Sequence, residues 1–284
     1  MKKIALPALW LVLAAAAALP AARADTETMP EHTLLQIIDR QKTLLATAAK
    51  EGAALDAESF RVQVQDLCHE YEMLLRQNPN FAPAYADYGY LLSKMDMARA
   101  AAAMLNKADQ IDPKIPMVKN QLGNYFAEQG KPVEAAVYFR AAIALAPDEP
   151  LYHYQLGTLL HEAKDDFARV EGRAAGLVEL EAHGEFRKAA ELAPERIEFM
   201  YRYAESFADL DKAEWGKGLE VWAAMEEKEP TDFGRAILRL QAANTLIKEG
   251  RFDPARVLLA TITETKLERQ KQKLVAQLPE SAKK

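Results

Sequence analysis

Residues 113–147 read PKIPMVKNQLGNYFAEQGKPVEAAVYFRAAIALAP, and residues 79–113 before them carry the same residue types in the same places. Tyr88-Gly89, Leu92, Ala101, Leu105, Ala108 and Pro113 return as Leu122-Gly123, Phe126, Ala135, Phe139, Ala142 and Pro147, always 34 residues on. A fixed period of this length predicts stacked helical hairpins, none of which can bury its apolar face alone. The small Gly and Ala positions let two helices approach closely, and the bulky Leu or Phe fills the groove between them.

Working outward, a third copy begins at Leu156-Gly157 and Leu160. Its closing residues Ala182, Phe186, Ala189 and Pro194 arrive late, so Pro147 to Pro194 spans 47 residues and the unit holds thirteen extra, placed within about 164–181. The extra segment is expected to lengthen the hairpin or add a short helical excursion, or else to be a tolerated loop insertion, which costs little because closure entropy grows slowly with loop length. Asp165-Asp166 suit the first turn of a helix. A fourth copy holds Tyr203, Ala204, Phe207, Gly218, Trp222, Met225 and Pro230, with Trp222 in the core place of Leu105 and Phe139. A fifth, degenerate copy carries Ala243, Leu246, Gly250, Ala255, Leu259 and Ile262. Toward the N-terminus, helical stripes predict a longer hairpin, from about His32 to Lys50 (Leu34, Leu35, Ile37, Ile38, Leu44, Leu45) and from about Asp56 to Gln77 (Phe60, Val64, Leu67, Tyr71, Leu74). Terminal units are often atypical because one face meets water. KLERQKQKLVAQL, residues 266–278, reads as a mostly charged capping helix.

At these residues the chain resembles the tetratricopeptide repeat family, over roughly Pro79 to Ile262. The resemblance implies an all-α fold, a right-handed α-α superhelix of antiparallel hairpins. The expected organisation is a leader (1–24), a linker (25–31), an N-terminal hairpin (32–79), repeats with the insertion (80–230), a degenerate repeat with its cap (231–278) and a tail (279–284).

The leader has the three parts of a secretory signal: Lys2 and Lys3, an apolar run from Ile4 to Leu19, and Ala22-Arg23-Ala24. Cleavage before Asp25 is expected, with periplasmic or secreted localisation in a bacterium; an uncleaved anchor is the alternative, but the run is short for a span of about 20 residues. Losing three leader cations takes the net charge from −6 to −9, which argues against non-specific nucleic-acid binding. No later apolar run approaches about 18 residues, so no membrane insertion is expected after cleavage. The single cysteine, Cys68, reads as a small apolar filler.

No phosphate loop, nucleophile elbow or Cys/His pairing suited to catalysis occurs, so the chain reads as non-enzymatic, with no cofactor. The five histidines (His32, His69, His153, His161, His183) show no metal-ligand spacing on one helix, and they read as solvated or facing the groove. The family resemblance implies that the first helix of each hairpin lines a concave face. The candidate partner-binding residues are therefore the polar positions on that face: Tyr90, Lys94, Asn120, Asn124, Glu128, Tyr154, His161, Tyr201, Arg202, Glu205, Asn244 and Lys248. Tyr and Arg concentrate binding energy, and Asn can pair with a peptide backbone. Some relatives clamp a C-terminal carboxylate with two Lys, an Arg and two Asn; only Asn124 matches a place in that clamp, since Tyr154 and Tyr201 stand where cations are needed. The mixed charge predicts moderate salt dependence. These residues imply a scaffold or adaptor that binds a protein or peptide segment. The alternatives are a structural subunit of an envelope assembly, or a cell-wall, glycan or enzyme-regulatory partner that uses Tyr90, Tyr154 and Tyr201.

Overall fold

Prolines sit in the first turn of five helices, where the missing N–H costs nothing. Four of these helices open hairpins of a computed structural model that describes residues 28–52 and 55–279. The leader lies outside the described residues. The described residues hold fourteen α-helices and no strand. They divide between Pro147 and Asp148 into two compact units.

The first unit pairs α1 (Met29–Glu51) with α2 (Ala57–Gln77), α3 (Ala82–Lys94) with α4 (Ala98–Ile111), and α5 (Pro116–Glu128) with α6 (Pro132–Leu145). Helix α1 starts three residues before the expected His32, inside the stretch read as a linker. The cause is a capping box: Glu31 N–H donates to Thr28 Oγ1 at 3.4 Å, and Thr28 N–H donates to Glu31 Oε2 at 2.8 Å. Pro30 fits the first turn that follows. Of the expected α1 stripe, Leu34, Ile37 and Leu44 are buried while Leu35 is exposed; Gln41 is buried with them and accepts a hydrogen bond from the Tyr71 hydroxyl at 2.8 Å. Tyr71 stacks on Tyr88, with ring centroids 5.2 Å apart, which joins the first hairpin to the second. Cys68 is partly buried beside this cluster.

Close helix approach recurs across hairpins. A Cβ added to Gly123 would lie 2.7 Å from two ring carbons of Phe139, and one on Gly89 would lie 2.7 Å from Leu105 Cγ. The turn after α5 needs a left-handed residue, supplied by Gly130 at φ 69°; one period earlier Asp96 takes that place at φ 58°.

The second unit begins with α7 (Pro150–Glu162). The expected insertion is helical: α8 (Lys164–Glu171) ends at left-handed Gly172, and α9 (Ala175–Leu192) is 18 residues long where α6 has 14. Asp165 and Asp166 occupy the first turn of α8, and Phe167 anchors that helix in full burial. Helix α9 then closes on α7, with Phe186 against Gly157. Next come α10 (Ile197–Ser206), α11 (Trp215–Lys228), α12 (Asp232–Glu249) and α13 (Phe252–Ala260). Trp222 is buried, and its indole N–H donates to Thr245 Oγ1 at 3.2 Å. The expected capping helix is interrupted: a 3-10 turn over Thr265–Leu267 precedes α14 (Glu268–Val275). Leu267 and Leu278 bury themselves against α12 and α13, so the ends of the charged segment are docked by apolar contacts.

Candidate functional site

The predicted inner-face residues fall on the first helix of each hairpin and divide between the two units. In the first unit, α3 carries Tyr90 and Lys94, and α5, which packs against α3, carries Asn120, Asn124 and Glu128. Lys94 lies over the Tyr90 ring, 5.1 Å from its centroid. Burial pushes the Lys94 ammonium below its ordinary pKa and the Tyr90 phenol above its own. Glu128 is pushed up by burial and, to a lesser degree, by the Asp96 charge. Neither Lys94 nor Glu128 has an ion-pair partner among the described residues. Both side chains are nonetheless exposed, so two opposite charges on neighbouring helices stand open to charged groups of another molecule.

Asn120 departs from the expected solvent-facing placement. It is only 2 % exposed, because α5 is enclosed by α3, α4 and α6 together. Next to it, Lys119 pairs with Asp109 of α4 at 2.6 Å.

In the second unit the predicted residues are engaged within the chain. Tyr154 packs against Phe199 at 4.9 Å and Phe186 at 6.1 Å, and Tyr201 meets Trp222 edge-on at 4.8 Å. Burial pushes the Tyr201 phenol up to about 12. Arg202 lies 4.4 Å from the Phe186 ring centroid and donates to Asp209 Oδ2 at 2.9 Å; Glu205 is 3.8 Å from Arg202. Asn244 and Lys248 lie on α12, Asn244 partly buried and Lys248 exposed.

The histidines are more integrated than their sequence neighbourhood suggests. His153 is buried, with Nδ1 2.6 Å from Glu185 Oε2, and His183 Nδ1 is 2.8 Å from Ser206 Oγ. His161 Nδ1 lies 3.0 Å from Glu179 Oε2 and 3.7 Å from Asp209 Oδ2. Lys164 donates to the other Glu179 oxygen at 2.7 Å. A search for ligands spaced along one helix misses this cluster, because α7, α9 and the turn after α10 each contribute one member. One signal for it exists in the sequence. Glu179 precedes Ala182 by three residues and Phe186 by seven, which puts a carboxylate on the inward stripe of α9.

No protein-family model matches the chain, and no curated protein matches it. Solved structures do. YrrB, described as a tetratricopeptide protein with an unusual peptide-binding site, superposes with a TM-score of 0.55 at 20% identity, covering 72% of this chain and 97% of that one. PilW, described as a widely conserved type IV pilus biogenesis factor, gives 0.57 at 11%, covering 85% and 98%. The pilF protein of Pseudomonas aeruginosa gives 0.52 at 14%, covering 84% and 98%. At these identities the likeness is one of fold. It agrees with the close helix contacts at Gly89, Gly123 and Gly157: the chain has the tetratricopeptide-repeat fold.

Proposed function

We infer that this protein is a non-enzymatic adaptor of the bacterial cell envelope or the exterior, and that it binds a segment of another protein along the inner-face positions of α3 and α5. The observation that carries this reading is that Lys94 and Glu128 are exposed on the packed helices α3 and α5 and have no ion-pair partner among the described residues. Packing does not require them, and an internal ion pair does not satisfy them. Tyr90 lies beside Lys94 on α3 and offers an aromatic face, and Asn124 lies one turn before Glu128 on α5. The peptide-binding site ascribed to YrrB is in keeping with this class of ligand. The envelope setting rests on the signal-like residues 1–24.

The assignment shifts the weight of recognition onto the first unit. Tyr154, Tyr201 and Arg202 supply packing and internal pairing in the second. Pull-down from an envelope extract tests it, with Lys94→Glu and Glu128→Lys variants as baits. A partner retained by the wild type and lost by either reversal supports the reading. A partner retained equally by both reversals removes its basis.

A further inference from the structure

The cluster around His161 is used neither by hairpin packing nor by the inner face of α3 and α5. The geometry points to a divalent transition-metal site of the zinc class, formed by His161, Glu179 and Asp209, which ties the inserted helices to the hairpin that follows. The site stands independently of the segment-binding reading, since it shares no residue with α3 or α5.

Its three donor atoms come from separate elements and lie within 4.8 Å of one another. Metal–donor bonds of about 2.1 Å in a tetrahedral shell place donors about 3.4 Å apart. The two separations from His161 Nδ1, 3.0 and 3.7 Å, bracket that figure. A ring nitrogen carries at most one proton, so Nδ1 can donate to only one of the two carboxylates at a time. Three electron-pair donors therefore converge on one point, where the imidazole proton serves at most one carboxylate and the rest of their charge is met by Arg202 and Lys164. One nitrogen and two oxygens suit a borderline cation such as zinc better than magnesium, which prefers an all-oxygen, largely hydrated shell.

The positions are also fixed in advance. Glu179 is 4 % exposed on α9, and His161 lies in the last turn of α7. The loop bearing Asp209 is seated on α9, where a Cβ on Gly176 would collide with the Asp211 carboxylate. His161 and Asp209 are 31 % and 29 % exposed, which leaves a path for the ion and a place for a water ligand.

Two cations now balance the carboxylates. Arg202 is held over Phe186 and stays on Asp209, where it orients the carboxylate as an outer-shell partner. Lys164 is 42 % exposed, and its long side chain can swing into water as the metal takes its place on Glu179. The competing account is a purely internal ion-pair network, in which Lys164 supports the carboxylates and no metal enters.

The test titrates the chelator-treated full chain with zinc by calorimetry, and with cobalt by visible absorption. The site predicts saturable binding of about one equivalent, weakened at least about tenfold by His161→Ala and by Asp209→Asn. Lys164→Ala tightens binding, and an equal concentration of magnesium leaves it unchanged. Absence of saturable zinc binding, or affinity unmoved by both ligand substitutions, overturns the proposal in favour of the ion-pair network. If the substituted proteins do not fold, the wild-type cobalt complex decides: intense visible bands of four- or five-coordinate cobalt support the site, and only the weak bands of hydrated cobalt reject it.

Discussion

Gly123 sets how closely α5 and α6 approach, because Phe139 occupies the space where a Cβ would stand. Gly123→Ala is expected to cost about 1–3 kcal/mol through overpacking, read from the shift in the denaturation midpoint. This feature was legible in the sequence, since Gly123 and Phe139 recur in register with Gly89 and Leu105. Asp87 was not. It follows an alanine on α3 with no charged residue beside it in the chain, yet folding buries its carboxyl, which rises from 3.8 to about 7 against the opposing pull of Lys42. Tyr71 and Tyr90 face the same charge. The raised value means that the folded state holds this proton more tightly than the unfolded chain does. Its stabilisation is fully present below about pH 4 and is lost as pH rises through about 7. Asp87→Asn should therefore raise the melting temperature relative to wild type at pH 8 and leave it unchanged near pH 3.5. Melting curves at the two pH values check the sign.

At the scale of elements, the insertion is the instructive case. Its length and place follow from counting residues between Pro147 and Pro194, but not its packing, because spacing along the chain does not say which side chain a short helix buries. Helix α8 holds Phe167 with no exposed surface, so it is a packed part of the second unit. Phe167→Ala should destabilise the chain by about 3–5 kcal/mol, as measured by chemical denaturation. A loosely attached excursion would instead give a change within about 0.5 kcal/mol. The start of α1 taught a related lesson. Pro30 in a polar stretch reads as a linker until the reciprocal bonds of Thr28 and Glu31 are seen to make it a helix start.

For the whole molecule, periodicity carried the fold, since repeated packing imposes repeated residues. The candidate site followed only in outline. Inner-face polarity marks positions in sequence, but whether a charge stays available depends on partners from other helices. Among the described residues Lys94 and Glu128 remain without an ion pair, while His161 and Arg202 meet Glu179 and Asp209. Binding through the first unit should weaken moderately as salt rises, because its charges are few and partly screened. The most direct test places a photoreactive amino acid at position 94 or 128, with a control at Val137, which lies on α6 and is 62 % exposed. Irradiation in a native envelope extract, followed by mass spectrometry, should yield the same polypeptide adduct from positions 94 and 128 and none from 137. Adducts at 137 equal to those at 94 and 128, or none at either inner-face position, would contradict a partner bound along α3 and α5.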